Sequence, residues 1–222
     1  GGPIRGFPRG LDVMAVLGSD RARAILKESR DDQYSKVGQA KSYTEALDGL
    51  CAQYAQVDEQ GWNRNLYWAW LYCLKSLLSG TGSADSLPTF MKTTAWRDKQ
   101  LNTVLASWSQ LRHDTVLYVK QSDSLKGLDD PPESKMVEGY VEPVPEFYAR
   151  LLALARMSRE GLTSMKVLSK EAEARLKTVE SVLARLVDLA TRELQNEVLR
   201  AEDYAFIRGF AGQIQGAVAG VA

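Results

Sequence analysis

The segment at residues 63–79 constrains the fold of this chain most strongly. Its sequence, NRNLYWAWLYCLKSLLS, carries apolar or aromatic side chains on nearly every face of a helix. These side chains are Leu66, Tyr67, Trp68, Trp70, Leu71, Tyr72, Leu74, Leu77 and Leu78. Because a helix that is apolar all round belongs in a protein interior, we predict a central core helix here. In this interpretation the polar tips of Trp and Tyr bond to neighbours, and an aromatic box for a ligand is the alternative.

A second long helix is predicted at residues 98–120, and it contains the only histidine of the chain, His113. One side of this helix carries an apolar stripe, whereas polar residues spaced by seven and eleven fall in a narrow arc on another side. With the charged neighbours of His113, they form a candidate polar site of Asn102, Ser109, Arg112, His113, Asp114 and Lys120. Because the apolar residues are widely spread, we expect this site to be shielded and matched by partners elsewhere in the chain.

Two interpretations of the candidate polar site remain open. Histidine can act as a general base near neutral pH, and Ser109 lies one helical turn before His113. However, the chain has no G-x-S-x-G elbow, no H-E-x-x-H zinc motif and no Gly-rich phosphate loop. We therefore favour the second interpretation, in which Arg112, His113 and Asp114 join neighbouring helices through hydrogen bonds and ion pairs. No metal site and no cofactor is predicted.

The charge balance disfavours nucleic acid as a partner. The 222 residues include 28 basic and 28 acidic side chains, so no global field draws in a polyanion. No run of apolar residues is long enough to span a membrane, and residues 1–10 do not resemble a signal peptide. The chain does not begin with Met, and we expect it to be part of a longer protein.

Two cysteines, Cys51 and Cys73, match no zinc spacing. If the helices before and after Trp62 are antiparallel, the two cysteines lie equally far from the turn and therefore roughly level. A disulfide between Cys51 and Cys73 is one interpretation of this placement. Two separate buried thiols are the other, and we favour it because free cysteine is among the most buried residue types.

The remaining helices are predicted from their start and stop signals. The stop is Gly18, and the starts are Ser19, Ser42 or Thr44, Pro145 and Ser169. Together these features predict an all-α fold, an irregular multi-helix bundle with one long irregular loop. We expect a single helical domain at residues 7–222, preceded by a flexible start at residues 1–6.

The long loop is predicted at residues 122–144, where the helical pattern is lost. Its end and the residues after it carry carboxylates at Glu138, Glu142 and Glu146, which could face basic residues of the helix at 98–120. A static packing strap is favoured over a lid that covers a substrate.

Five segments of the chain, in order, resemble an uncharacterised prokaryotic family known as domain of unknown function 3160. They are FPRGLDVMAVLGS at 7–19, NLYWAWLY at 65–72, AWRDKQLNT at 95–103, SWSQLRHDTVLYVKQS at 107–122 and GYVEPVPEFYARL at 139–151. The family region continues into a strand-rich portion, so the resemblance implies that this chain is a fragment. Its members resemble exported or lipid-anchored proteins, which would suit a bridge between Cys51 and Cys73.

The resemblance implies no activity and names no catalytic residue, although Arg112, His113, Asp114, Lys120 and Gln121 fall within a family signature. We therefore predict a binding or structural module of an exported or surface-associated protein. Its expected partner is a small molecule, a polysaccharide or a protein, besides the missing remainder of a longer chain. The alternative is a hydrolase, metal-dependent or not, with its site around His113 and the loop carboxylates.

Overall fold

The protein is described by a computed structural model at residues 7–30, 42–78, 87–116 and 139–218. Every regular element in these ranges is helical, which confirms the predicted all-α fold. The α-helices are α1 Gly10–Val16, α2 Asp20–Glu28, α3 Tyr43–Ala55, α4 Glu59–Trp62, α5 Leu66–Leu78, α6 Thr94–Val116, α7 Pro145–Ser164, α8 Lys170–Leu194 and α9 Ala201–Val218. A 3₁₀ turn at Thr89–Lys92 precedes α6. The predicted start at 1–6 and residues 122–138 of the loop predicted at 122–144 lie outside the described residues.

Local sequence signals set most of the helix boundaries. Gly18 follows α1 with φ of +103°, a left-handed backbone conformation that favours glycine. The hydroxyl groups of Ser19, Ser42 and Ser169 accept hydrogen bonds from backbone N–H groups in the first turns of α2, α3 and α8. Pro145 occupies the first turn of α7, where its missing N–H costs nothing. These predicted boundaries are confirmed, with Ser42 rather than Thr44 as the cap.

The helix α5 lies at the centre of the first hydrophobic cluster, as predicted. The cluster consists of Met14, Ala15, Leu17, Ala22, Leu26, Trp62, Leu71, Leu74, Leu101 and Val104. The indole N–H of Trp70 donates a hydrogen bond to Ser107 Oγ of α6 at 3.2 Å. Arg64 lies over the ring of Trp68, 3.3 Å from its centroid. Because these aromatic groups contact the protein's own side chains, the packing interpretation is favoured over the ligand box.

A second hydrophobic cluster lies around α8 and α9. It consists of Val141, Val182, Leu186, Leu189, Ala190 and Leu199. The helix α7 connects the two clusters, because Phe147 packs against the first and Tyr148 against the second. Arg150 strengthens the connection by donating a hydrogen bond to the backbone oxygen of Tyr72 at 2.6 Å. Successive residues of one helix therefore join the two clusters.

The joint between α8 and α9 contains a fully buried carboxylate, Asp203. Its oxygens accept hydrogen bonds from the backbone N–H of Arg200 at 2.7 Å and from Arg192 Nη1 at 3.0 Å, and Arg185 also pairs with it. Burial opposes ionisation of Asp203, but these donors outweigh burial and lower the pKa of its carboxyl group. The ionised carboxylate therefore connects α9 to α8.

Cys51 and Cys73 are both free thiols in the structure, so the disulfide alternative is not observed. Cys51 donates a hydrogen bond to the backbone oxygen of Ala15 at 3.5 Å, whereas Cys73 is buried. Burial raises the pKa of the Cys73 thiol to about 12. Each thiol is used in packing, in agreement with the favoured interpretation of two separate thiols.

Candidate functional site

The helix α6 carries the candidate polar site on an exposed face. Its buried side contains Leu101 and Val104, which belong to the first hydrophobic cluster. The described side chains of the candidate polar site are instead all exposed: Asn102, Ser109, Arg112 and His113. The expectation that this site is shielded therefore does not hold for these four side chains. One side of α6 is sufficient to contact the core, and the polar residues lie away from it.

The guanidinium group of Arg112 lies 5.5 Å from the ring centroid of Trp108, one helical turn earlier. The side chain of Asp114 and the whole of Lys120 lie outside the described residues, so their predicted partners stay predictions. Ser109 and His113 share an exposed face of α6, and neither lines the two pockets found among the described residues.

The loop carboxylates have separate roles. Glu142 forms an ion pair with Lys99 of α6, so the expectation that it faces the central helix is confirmed. Glu146 pairs instead with Arg150, one turn later in α7, because residues four apart on a helix are neighbours. Glu138 lies outside the described residues. The ion pair between Lys99 and Glu142 attaches the segment at 139–144 to α6.

A pocket of about 170 Å³ lies where this segment crosses α8 and α9. We call it the C-terminal pocket, and it is lined by Tyr140, Val141, Glu142, Tyr148, Leu186, Phe206, Ile207 and Phe210. Half of these residues are aromatic, Tyr140 is largely exposed, and Glu142 contributes a carboxylate. Such a lining, mainly apolar with few polar groups, is typical of small-molecule sites.

A second carboxylate, Glu193, lies beside the C-terminal pocket. Its Oε1 accepts a hydrogen bond from the backbone N–H of Val141 at 3.1 Å, whereas its Oε2 is enclosed and has no hydrogen-bond partner. Burial raises the pKa of Glu193. Burial and the negative charge of Glu193 raise the pKa of the Tyr148 hydroxyl group to about 12. Tyr148 therefore stays neutral in the physiological range and can donate or accept a hydrogen bond.

The sequence analysis did not identify this pocket. Its lining residues come from the segment at 139–148, from α8 and from α9, which are remote in the sequence, and helical periodicity cannot predict how they meet. One signal was available, since GYVEPVPEFYARL contains four of the eight lining residues, Tyr140, Val141, Glu142 and Tyr148.

Among the described residues, no group of three or more His, Cys, Asp or Glu side chains is placed to hold a metal ion. None of the described helices is both long and apolar enough to cross a membrane. A family model, described as "Protein of unknown function (DUF3160)", matches residues 1–221. The chain belongs to this family. The resemblance found in the five segments is thereby confirmed for almost the whole chain. No curated protein and no solved structure matches the chain significantly.

Proposed function

We propose that this member of the family is a binding module of an exported or surface-associated protein, and that its C-terminal pocket receives one sugar unit of a saccharide. The observation that carries this proposal is the aromatic lining of the pocket, with the exposed ring of Tyr140 and the carboxylate of Glu142 among its residues. Aromatic rings stack on the apolar faces of sugar rings, and carboxylates accept hydrogen bonds from sugar hydroxyl groups.

The size of the pocket supports a single unit of a longer ligand. Sites for drug-sized molecules have volumes of roughly 300 to 1,000 Å³, and the C-terminal pocket has about 170 Å³. A ligand larger than one ring would therefore continue outside it. The pocket walls come from packed helices and from a segment attached by Lys99 and Glu193, so the site is formed before a ligand arrives.

The hydrolase alternative stays a hypothesis with less support. A site around His113 needs a carboxylate partner from the loop. The described candidates lie elsewhere, Glu142 beside Lys99 at the C-terminal pocket and Glu146 beside Arg150. His113 is also exposed on a regular helix, and it is not among the residues that line the C-terminal pocket.

The proposal is tested by saturation-transfer NMR with a panel of neutral and acidic oligosaccharides. We expect contact between at least one saccharide and the wild-type protein, and a loss of most of that contact in Tyr140→Ala. Because Tyr140 is largely exposed, this substitution leaves the fold intact, which circular dichroism checks.

The matched control is Phe7→Ala, which removes another exposed aromatic ring that lies outside the C-terminal pocket. It should bind as the wild type does. The proposal is overturned if no saccharide contacts the protein, or if Tyr140→Ala and Phe7→Ala have equal effects.

A further inference from the structure

The helices α7 and α8 form an antiparallel hairpin, and one half of it extends beyond the hydrophobic clusters. No residue of α7 is buried, and the buried residues of α8 begin only at Val182. In this half the two helices are joined to each other, for example through Arg159 Nε and Glu180 Oε1 at 2.5 Å. The turn that joins the helices therefore stands at the far end of the hairpin.

The backbone of this turn has a defined, hydrogen-bonded conformation. Lys166 has φ of +57°, and Val167 N–H donates a hydrogen bond to the backbone oxygen of Leu162 at 3.2 Å, which is the pattern of a helix stop with a left-handed residue. Ser169 then caps α8 by accepting a hydrogen bond from the N–H of Ala172 at 3.1 Å. We call residues 163–170 the hairpin tip, and its side chains project from a fixed backbone.

The hairpin tip exposes apolar side chains that nothing in the described structure covers. Met165 is 63% exposed and Val167 is 67% exposed. Single exposed apolar residues are common on protein surfaces, but here two of them flank one turn at the end of a projecting element. Transfer of these two side chains from water to an apolar environment would be favourable in free energy.

The charges of the hairpin tip are of one sign. Lys166 and Lys170 lie within it, and in the described part of the chain neither has a carboxylate within ion-pair distance. The carboxylates next to the tip are compensated by basic residues of their own helices. These pairs are Glu160 with Arg159, Glu171 with Arg175 and Glu173 with Lys177. The tip therefore combines two exposed apolar side chains with two uncompensated ammonium groups.

We propose that the hairpin tip docks on the surface of an anionic lipid bilayer. Met165 and Val167 would enter the boundary between head groups and acyl chains, while the ammonium groups of Lys166 and Lys170 would meet lipid phosphates. A protein partner fits the tip less well, since a stable protein interface needs about 800 Å² from each partner and the tip offers only a few side chains. A bilayer accepts small insertions because it is fluid. The inference concerns a different surface from the C-terminal pocket and does not depend on its ligand.

The test is co-sedimentation of the protein with vesicles of phosphatidylcholine, with and without phosphatidylglycerol. We expect binding only to the vesicles that contain phosphatidylglycerol, and a decrease of this binding when salt is added. The double variant Lys166→Glu with Lys170→Glu should lower the partition coefficient at least about tenfold. Each lysine is attracted to the anionic lipid surface, and each glutamate would be repelled by it. Met165→Ser with Val167→Ser should lower it by a similar factor.

The matched control is Val198→Ser, which removes an apolar side chain that is 87% exposed between α8 and α9. It should bind vesicles as the wild type does. The proposal is overturned if the wild type ignores phosphatidylglycerol, or if the tip variants bind as well as Val198→Ser. It is also overturned if light scattering shows that the tip variants abolish self-association while leaving vesicle binding unchanged, since a second copy would then be the partner.

Discussion

The backbone N–H of Val141 donates a hydrogen bond to Glu193 Oε1 across 3.1 Å, and this contact holds the segment before α7 against α8. The other oxygen of the same carboxylate, Oε2, is enclosed without a hydrogen-bond partner. Glu193 thus supports the wall of the C-terminal pocket. Its enclosed position disfavours the ionised form of its carboxyl group. Stability and the shape of the pocket are coupled at this one residue.

The first prediction is that Glu193→Gln raises the melting temperature at neutral pH. Burial raises the pKa of Glu193 above its ordinary value of 4.5. Between the ordinary and the raised pKa the folded protein binds more protons than the unfolded chain, so stability falls as pH rises through this window. Gln removes the buried charge, and its amide oxygen can still accept the hydrogen bond from Val141.

The measurement is thermal unfolding of Glu193→Gln and wild type at neutral pH and at a pH below the window. The increase in melting temperature should be smaller at the lower pH, where the carboxyl group of Glu193 in the wild type is protonated. Glu202→Gln, which changes an exposed carboxylate, serves as the control. A variant that is less stable than wild type at neutral pH would show that the charge of Glu193 is favourable.

The second prediction is that Asp203→Asn destabilises the joint between α8 and α9. The substitution leaves Arg192 and Arg185 without their buried anion, and removal of one partner of a buried pair costs about 3 kcal/mol. Urea unfolding followed by circular dichroism measures the loss. The control, Asp188→Asn on the exposed side of α8, should change the free energy of unfolding by less than about 0.5 kcal/mol.

The loss should also depend on pH. Because the pKa of Asp203 is lowered in the folded state, its contribution is complete above the ordinary value of 3.8 and disappears as pH falls through the lowered value. The difference between Asp203→Asn and wild type should therefore narrow in strong acid. A difference that stays constant down to the lowest accessible pH would contradict the assigned ionisation of Asp203.

The third prediction is that Gln100→Leu stabilises the protein. Gln100 is 4% exposed in α6, and neither its amide nitrogen nor its amide oxygen has a hydrogen-bond partner. Removal of a buried, unsatisfied polar group by a side chain of similar size should gain roughly 1 kcal/mol. Urea unfolding measures the gain, with Gln53→Leu on the exposed face of α3 as the control. If the substitution instead lowers stability, the amide makes a hydrogen bond in solution.

The fourth prediction concerns the thiols. Since burial raises the pKa of Cys73 to about 12, iodoacetamide should modify Cys51 in the native protein well before Cys73. Mass spectrometry of tryptic peptides after timed quenching measures both rates, and in denaturant the two should become equal. A peptide that links Cys51 to Cys73 after mild oxidation would restore the disulfide interpretation.

Helix boundaries were predictable because their causes are local. Ser19, Ser42 and Ser169 cap helices through hydrogen bonds that reach only three residues along the chain, so the residues involved are adjacent in the sequence. The interior position of α5 was predictable for a similar reason, because apolar side chains on nearly all its faces leave no side suited to water. The helix predicted at 98–120 is observed as far as the described residues extend, to Val116. It begins at Thr94, after Thr93, whose Oγ1 accepts a hydrogen bond from the N–H of Trp96.

The candidate site was not predictable to the same degree. The residue pattern of α6 places Leu101 and His113 on different sides of the helix. It does not show how many of these sides are buried, and in the structure only the side with Leu101 packs against the core. The sequence led us to expect that Glu142 would face a basic residue of this helix, because unlike charges attract. It did not show that this residue would be Lys99.

The sequence by itself therefore determined the all-α class, the starts and ends of most helices, the core role of α5 and the family. Only the tertiary structure decided that His113 faces outward, that Tyr140 and Phe210 line one pocket, and that Asp203 lies between two arginines. Hydrogen bonds within a helix turn depend on a few consecutive residues. A pocket or a buried ion pair depends on how whole helices pack, and this is set by the sum of many contacts between distant residues.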